Sequence, residues 1–202
     1  MNSTINYYKK NAKYLVKRYE SANVNKIQQL LLKVFPKNSH LLEIGCGSGR
    51  DANFMIENNY KITAIDASKE MILEAKKIHP LLKNSLHVVT IPDELKFNNN
   101  SFDGVYSIAT LMHLEKKDIK KTIEKIYSIL KDKGVFLFSV SIQRDDIDDN
   151  YKDSKGRHFT TISKYMWFEI CINTGFRAIK TVITNDGLDR DGIVWLTCIM
   201  EK

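Results

Sequence analysis

Short apolar runs alternate with longer amphipathic stretches along most of the chain. Runs of strand length predict β-strands, and apolar residues that recur three or four positions apart predict helices. The predicted strands are His40–Ile44, Lys61–Ile65, Leu86–Thr90, Phe102–Ile108, Gly134–Val140, Phe176–Thr184 and Gly192–Met200. The predicted helices cover residues 4–19, 23–35, 50–58, 68–78, 116–130 and 163–174. This alternation favours a parallel sheet with helices on both faces, and the last two strands favour an antiparallel hairpin.

A glycine-rich turn follows the first predicted strand and leads directly into a helix. Gly45, Gly47 and Gly49 allow positive φ angles and close approach of a ligand, and the helix that follows offers free N–H groups. Asp66 ends the second predicted strand, where a carboxylate can accept hydrogen bonds from both hydroxyls of a ribose. Together these features predict a nucleotide site.

The acid beside the glycine turn narrows the choice of ligand. Glu43 lies two residues before the first glycine, and the spacing is GxGxG instead of the GxGxxG of dinucleotide folds. A carboxylate would repel a pyrophosphate but attract a cationic amine. This argument favours S-adenosylmethionine over NAD, and an NAD-dependent oxidoreductase stays open as an alternative.

Several segments together resemble the class I S-adenosylmethionine-dependent methyltransferases, in particular small bacterial members. They are residues 41–52 (LLEIGCGSGRDA), 61–68 (KITAIDAS), 100–107 (NSFDGVYS), 111–114 (LMHL) and 129–136 (ILKDKGVF). The resemblance extends over nearly the whole chain. It implies an α/β fold with a seven-stranded, doubly wound, Rossmann-like sheet whose last strand is antiparallel, plus N-terminal helices.

The resemblance also implies which residues bind the cofactor. After methyl transfer the cofactor product is S-adenosylhomocysteine. The backbone of Gly45, Gly47 and Gly49 is expected to contact the methionine portion, and Glu43 the ammonium group. Asp66 is expected to bind the ribose, and Ala67 and Met71 to contact the adenine. Ala109 and Thr110 are expected to lie near the methionine portion. Arg50, in the first turn of the helix, is a candidate for a carboxylate contact.

The adenine end departs from the family pattern. Many relatives carry an acid after the third strand, where this chain has Ile91 followed by Pro92 and Asp93. Asp93 is a substitute for that acid, or backbone atoms contact the adenine. Pro92 has no N–H and can only accept a hydrogen bond there.

Residues for the acceptor and for proton transfer are less well marked by sequence. His113 follows the fourth strand, at the sheet edge where α/β proteins bind ligands, and is a candidate general base. The segment Gly156–Thr160 resembles one that lines acceptor pockets in the family, so Arg157 and His158 are candidates for acceptor contact and His158 also for catalysis. No cysteine follows a proline and no Asn-Pro-Pro-Tyr motif is present, which argues against DNA methylation.

Composition sets the remaining limits. A chain of 202 residues with 43% hydrophobic and 27% charged residues predicts a single globular domain. Three separated cysteines, no signal-peptide pattern and no long apolar run predict a cytoplasmic protein, monomeric or homodimeric, without a membrane span. The acidic stretch 145–153 lacks the glycine and the glutamate of an EF-hand loop, so no metal is expected.

The net charge of +7 is concentrated in residues 1–39, which hold eight basic side chains and one acid. Residues 1–38 are interpreted as a helical lid over a methyltransferase core of residues 39–202. In relatives a similar "Y…RYE" segment crosses the cofactor site, which makes Tyr14, Arg18 and Tyr19 further cofactor candidates. The charge suggests an anionic acceptor, a small molecule or RNA, although a lysine-rich composition accounts for it equally well.

The predicted reaction is transfer of a methyl group to an oxygen or nitrogen of that acceptor. The protein's part is mainly to align the reacting atoms. A non-catalytic S-adenosylmethionine-binding protein is the alternative from another functional class, because this fold requires no fixed catalytic residue.

Overall fold

In the computed structural model, residues 3–186 and 190–202 are described, and they form a seven-stranded sheet in the order β3-β2-β1-β4-β5-β7-β6. The strands are β1 His40–Ile44, β2 Lys61–Asp66, β3 Leu86–Val88, β4 Phe102–Ile108, β5 Leu130–Arg144, β6 Arg177–Asn185 and β7 Ile193–Glu201. Strand β7 is antiparallel to both neighbours, while strands β1 to β5 pair in parallel. The predicted fold class, including the antiparallel last strand, is confirmed.

Helices cover both faces of the sheet, as the alternating pattern predicts. They are α1 Ser3–Glu20, α2 Asn25–Val34, α3 Arg50–Glu57, α4 Lys69–Ile78, α5 Lys116–Ile129 and α6 Lys164–Thr174. Side chains of a strand alternate between faces, so Leu41 joins the core beneath α2, α3 and α4, whereas Leu42 and Ile44 join the core beneath α5 and α6. Burial of these two apolar faces holds the helical layers to the sheet.

The end of β5 and the segment after it differ from the sequence prediction. Strand β5 continues to Arg144 because β7 pairs with it as far as Ile193. The rest of the expected polar loop is partly paired with itself, through bridges between Ile147 and Asp153 and between Lys152 and His158. The predicted Asn185–Asp191 connection includes residues 187–189, which lie outside the described part.

Strand order reverses at β1, which lies between β2 and β4, and open α/β sheets bind ligands at such a point. Helix α1 packs on α4 there, with Ala12, Leu15 and Val16 of α1 buried against Met71 of α4. Helix α2 instead belongs to the core, through Leu31. Within the described residues no helix is both long and apolar enough to cross a membrane.

Candidate cofactor and acceptor site

A cavity of about 560 Å³ lies at the carboxyl ends of β1, β2 and β4, and residues of α1 form part of its wall. Its volume is in the range of small-molecule and cofactor sites. Most of the residues selected from the sequence line it: Arg18, Tyr19, Glu43, Gly45, Gly47, Arg50, Asp66, Ala67, Ile91, Pro92, Asp93, Ala109, Thr110, His113 and Arg157. Residues distant in the sequence therefore meet at one sheet edge.

Four selected residues do not line the cavity. Tyr14 is on the outer side of α1 with 62% of its surface exposed. Met71 is buried under α1, and Gly49 is the N-cap residue of α3. The side chain of His158 bonds the hydroxyl of Thr160 instead of facing the cavity. For these residues the geometry gives no support to the predicted ligand contact.

Gly45 and Gly47 of the glycine loop are glycines for different reasons. Gly45 has a φ of 77°, and a Cβ there would overlap the side chain of Thr110. Gly47 has a φ of 56°, but a Cβ there would meet only ordinary contacts, the nearest being the Tyr19 ring at 3.6 Å. Gly45 thus lets β1 pack closely on the segment after β4, while Gly47 keeps a bare backbone beneath α1.

Asp66 is held in place by the glycine loop and by the start of α4. Its Oδ2 accepts a hydrogen bond from the Gly47 N–H at 3.0 Å, and its Oδ1 accepts one from the Ser68 N–H at 2.8 Å. Burial raises the pKa of Asp66, and the two backbone hydrogen bonds oppose that rise. Each oxygen keeps a further lone pair, so the carboxylate can accept ribose hydroxyls in a fixed orientation.

Glu43 is a buried acid whose charge is poorly compensated. The hydroxyl of Tyr106 donates to its Oε2 at 3.2 Å. Burial, and next the nearby Asp51, raise the pKa of Glu43 well above the usual value for a glutamate. A cationic group bound in the cavity would supply the missing countercharge. The site therefore fits the ammonium group of S-adenosylmethionine.

Arg50 connects the loop helix to α1. Its Nε and Nη2 bond the carboxylate of Asp51 at 3.0 and 2.9 Å, and its Nη1 donates to the Tyr19 carbonyl at 2.7 Å. The guanidinium of Arg50 therefore bonds to acceptors of the protein itself, whereas the sequence suggested that it would bind a ligand carboxylate. Arg18 also lines the cavity, and within the described residues it forms no salt bridge, so it is better placed for that contact.

His113 is oriented as a neutral base. Its Nδ1 lies 2.7 Å from the His158 carbonyl, which can only accept, so Nδ1 carries the proton. Its Nε2 is then an acceptor, and the Tyr8 hydroxyl donates to it over a long distance of 3.5 Å. Burial lowers the pKa of His113 to about 4, helped by Arg157 and Arg144 and opposed by the bond to the carbonyl. His158 thus contributes its backbone carbonyl here.

Sequence analysis missed several residues of the cavity wall, notably Arg144, Phe159, Lys155, Arg190 and Tyr8. Arg144 ends β5, at the same carboxyl edge as Asp66 and the segment after β4. The rule that ligands bind at that edge could have identified it had the extent of β5 been known. Among the described residues, no three His, Cys, Asp or Glu side chains are grouped as metal ligands.

Known proteins similar to this chain include methyltransferases and related enzymes. A family model described as a methyltransferase domain matches residues 41–134. An uncharacterised protein of Methanocaldococcus jannaschii is 29% identical over 199 residues, covering 92% of this chain and 74% of its own length. The carboxy-S-adenosyl-L-methionine synthase of Campylobacter fetus is 25% identical over 181 residues, covering 77% of each chain.

A solved structure supports the same fold. The Burkholderia thailandensis 1,6-didemethyltoxoflavin-N1-methyltransferase, solved with its acceptor and S-adenosylhomocysteine, superimposes with a TM-score of 0.67 at 18% identity, covering 88% of this chain and 75% of that one. The methyltransferase-domain match and the sequence relatives together support a class I S-adenosylmethionine-dependent methyltransferase with S-adenosylmethionine as its cofactor, and the solved structure supports its fold.

Proposed function

We propose that this enzyme methylates an oxygen or nitrogen of a small-molecule acceptor bound beside His113, in the same cavity as the cofactor. The observation that carries the proposal is the neutral imidazole of His113, whose Nε2 accepts only a long hydrogen bond from Tyr8 and lies in a cavity that also contains Glu43 and Asp66. A base and a cofactor site within one cavity are what transfer to a protonated nucleophile requires.

Each part of the cofactor has a candidate partner. Glu43 binds the ammonium group, Asp66 the ribose hydroxyls and Arg18 the carboxylate. The backbone at Gly45 and Gly47 contacts the methionine portion together with Ala109 and Thr110, and the adenine lies against Ala67, Ile91, Pro92 and Asp93. When bound, the cofactor supplies an electrophilic methyl group on a sulfonium.

His113 removes the proton of the acceptor. The His158 carbonyl fixes the tautomer and the ring orientation, and the Tyr8 hydroxyl lies next to Nε2 until an acceptor takes its place. A general base contributes typically about 10²–10⁴-fold. Alignment of the acceptor with the methyl group contributes the larger share, roughly 7–11 kcal/mol.

Helix α1 acts as the lid. Thr4, Ile5, Tyr8, Arg18 and Tyr19 line the cavity, whereas no residue of α2 does. The lid thus corresponds to the first part of the proposed 1–38 unit, while α2 packs as part of the core. The lysines of α1 are exposed and none lines the cavity, so the excess charge of residues 1–39 is weak support for an anionic acceptor. A cavity of about 560 Å³ favours a small molecule over RNA.

The test combines cofactor binding with turnover. Isothermal titration should detect S-adenosylmethionine binding, and release of S-adenosylhomocysteine should identify acceptors in a panel of small amines, alcohols and phenols. His113→Gln should lower kcat by about 10²-fold or more while cofactor affinity changes less than twofold. His87→Gln, at an exposed histidine of β3, is the matched control. An unchanged kcat in His113→Gln would remove the base role, and binding without turnover on any acceptor would favour a non-catalytic binding protein.

Synthesis of carboxy-S-adenosyl-L-methionine is a second candidate, because three Campylobacter relatives carry that name. Mass spectrometry of the nucleoside that copurifies with the protein distinguishes the two. A carboxylated nucleoside would support the second candidate, whereas unmodified cofactor or S-adenosylhomocysteine would support methyl transfer.

A further inference from the structure

Two arginines and the candidate base share one aromatic ring in the cavity wall. The guanidinium carbon of Arg144 lies 3.8 Å from the centre of the Phe159 ring, and that of Arg157 lies 5.1 Å from it. The imidazole of His113 packs against the same ring with 4.5 Å between ring centres. All four side chains line the cavity. Both guanidiniums and the base therefore adjoin the same ring.

Each guanidinium is fixed by an aspartate of its own. Nε and Nη2 of Arg144 bond the carboxylate of Asp146 at 2.9 and 2.6 Å. Nε and Nη2 of Arg157 bond Asp153 at the same two distances. In both pairs Nη1 takes no part, so the planar group is held to its aspartate by one edge. Arg157 also donates a hydrogen bond to the hydroxyl oxygen of Tyr8.

Most charges around this cluster are paired. The two aspartates neutralise the arginines, and Arg190 is matched in the same way by Asp186. Lys155 also lines the cavity, with its ammonium group 6.0 Å from the centre of the Tyr7 ring. Glu115 and Asp118 belong to the lining as well, but Lys117 binds the Glu115 carboxylate at 2.8 Å.

Burial of Arg144 calls for an explanation beyond stability. Its side chain is only 2% exposed, whereas that of its partner Asp146 is 44% exposed, and burial of a guanidinium carries a desolvation cost. A guanidinium fixed by one edge beside a cavity is well suited to bind a carboxylate or phosphate, whose oxygens match its donors. A role in ligand binding therefore explains the buried guanidinium of Arg144 better than a contribution to folding stability does.

We infer that the acceptor carries a small oxyanion, a carboxylate or a phosphate, which Arg144 and Arg157 bind while His113 faces the nucleophilic atom. The inference rests on the proposed function and narrows its substrate class. Because the base and the guanidiniums are neighbours across Phe159, the anion and the nucleophile belong to the same small molecule.

The test uses matched pairs of acceptors that differ only in charge. The probes are meta-aminobenzoate with meta-aminobenzamide, meta-hydroxybenzoate with meta-hydroxybenzamide, and phosphoethanolamine with ethanolamine. Binding to protein saturated with S-adenosylhomocysteine is followed by the fluorescence of Trp195, which lines the cavity, with Trp195→Phe as the blank. Release of S-adenosylhomocysteine measures turnover of the same probes with S-adenosylmethionine.

At least one anionic probe should bind about tenfold or more tightly than its neutral partner. Arg144→Gln and Arg157→Gln should each weaken that probe by about 10- to 100-fold, with S-adenosylhomocysteine affinity within twofold of the parent. Arg177→Gln is the matched control, because Arg177 pairs with Glu201 on the surface and should leave both affinities unchanged. If Arg144→Gln does not fold, the double variant Arg144→Gln/Asp146→Asn removes the charge and its partner together.

The pairs also separate the two oxyanions, since the benzoates report a carboxylate and phosphoethanolamine a phosphate. The inference is overturned if neutral probes bind as well as anionic ones, if no probe binds, or if the preference survives in both arginine variants. Failure of the parent protein to bind S-adenosylhomocysteine at all would overturn the proposed function itself, and this inference with it.

Discussion

The clearest quantitative prediction concerns His113 and the acid stability of the protein. The histidine is buried between Phe159 and Tyr8, with Arg157 and Arg144 nearby, and its pKa is lowered from 6.5 to about 4. An unfolded chain takes up a proton at this residue below pH 6.5, whereas the native protein resists protonation until about pH 4. The unfolded state thus binds more protons in that window, and native stability must fall as the pH falls through it.

The size of the effect follows from the two pKa values. With 6.5 for the unfolded chain and about 4 for the native protein, His113 makes the free energy of unfolding smaller by about 2 kcal/mol between pH 7 and pH 5. Above pH 6.5 this loss is absent, and below pH 4 it reaches its full value because both states are then protonated. His113→Gln removes the group, so the variant should lose about 2 kcal/mol less than the parent over that interval.

Urea unfolding at pH 7, 6 and 5, followed by far-UV circular dichroism, measures this difference. His87→Gln serves again as the control and should follow the parent at every pH. Parallel pH dependence of the parent and His113→Gln would refute the reasoning, because it would mean that His113 is protonated at its ordinary pKa in the native state.

The remaining predictions address the cofactor side and the lid. Asp66→Ala should weaken S-adenosylmethionine binding by about 1–3 kcal/mol in isothermal titration, through loss of charge-assisted hydrogen bonds, and unchanged affinity in a folded variant would exclude the ribose role. Gly47→Ala should lower both cofactor affinity and stability to urea unfolding. Gly156 also has a positive φ but lies in open surroundings, so Gly156→Ala should lower only the stability. Equal cofactor affinity in the two variants would contradict a close approach of the cofactor at Gly47. Arg50→Lys should raise the cofactor Kd severalfold by releasing the Tyr19 carbonyl, and an unaltered Kd in titration would show that this link does not hold the lid.

Features encoded by neighbouring residues could be predicted. The strands and helices follow from local periodicity, and the glycine loop lies within a few residues of β1 and α3. Asp66 needs only the end of β2 to be located. Each of these depends on backbone geometry within one strand–turn–helix unit, so a single sequence contains the necessary information.

Roles that depend on which atom of a residue faces the cavity could not be predicted. His158 was selected for its side chain, but its backbone carbonyl orients His113 while its own backbone N–H donates to Thr4. Arg50 was selected for a ligand carboxylate, but its neighbour Asp51 and the end of α1 engage it. In both cases a partner from another part of the fold determines the outcome.

By itself, the sequence indicated the fold class and the cofactor, through short-range spacing, residue type and the resemblance to the methyltransferase family, and it located the glycine loop and β2. Only the tertiary structure brought Tyr8, His113, Arg144 and Phe159 together in one wall. Their meeting depends on how far β5 extends beside β7 and on how α1 packs over α4. Those are long-range contacts, which arise from the packing of whole elements and leave no periodic signal in the chain.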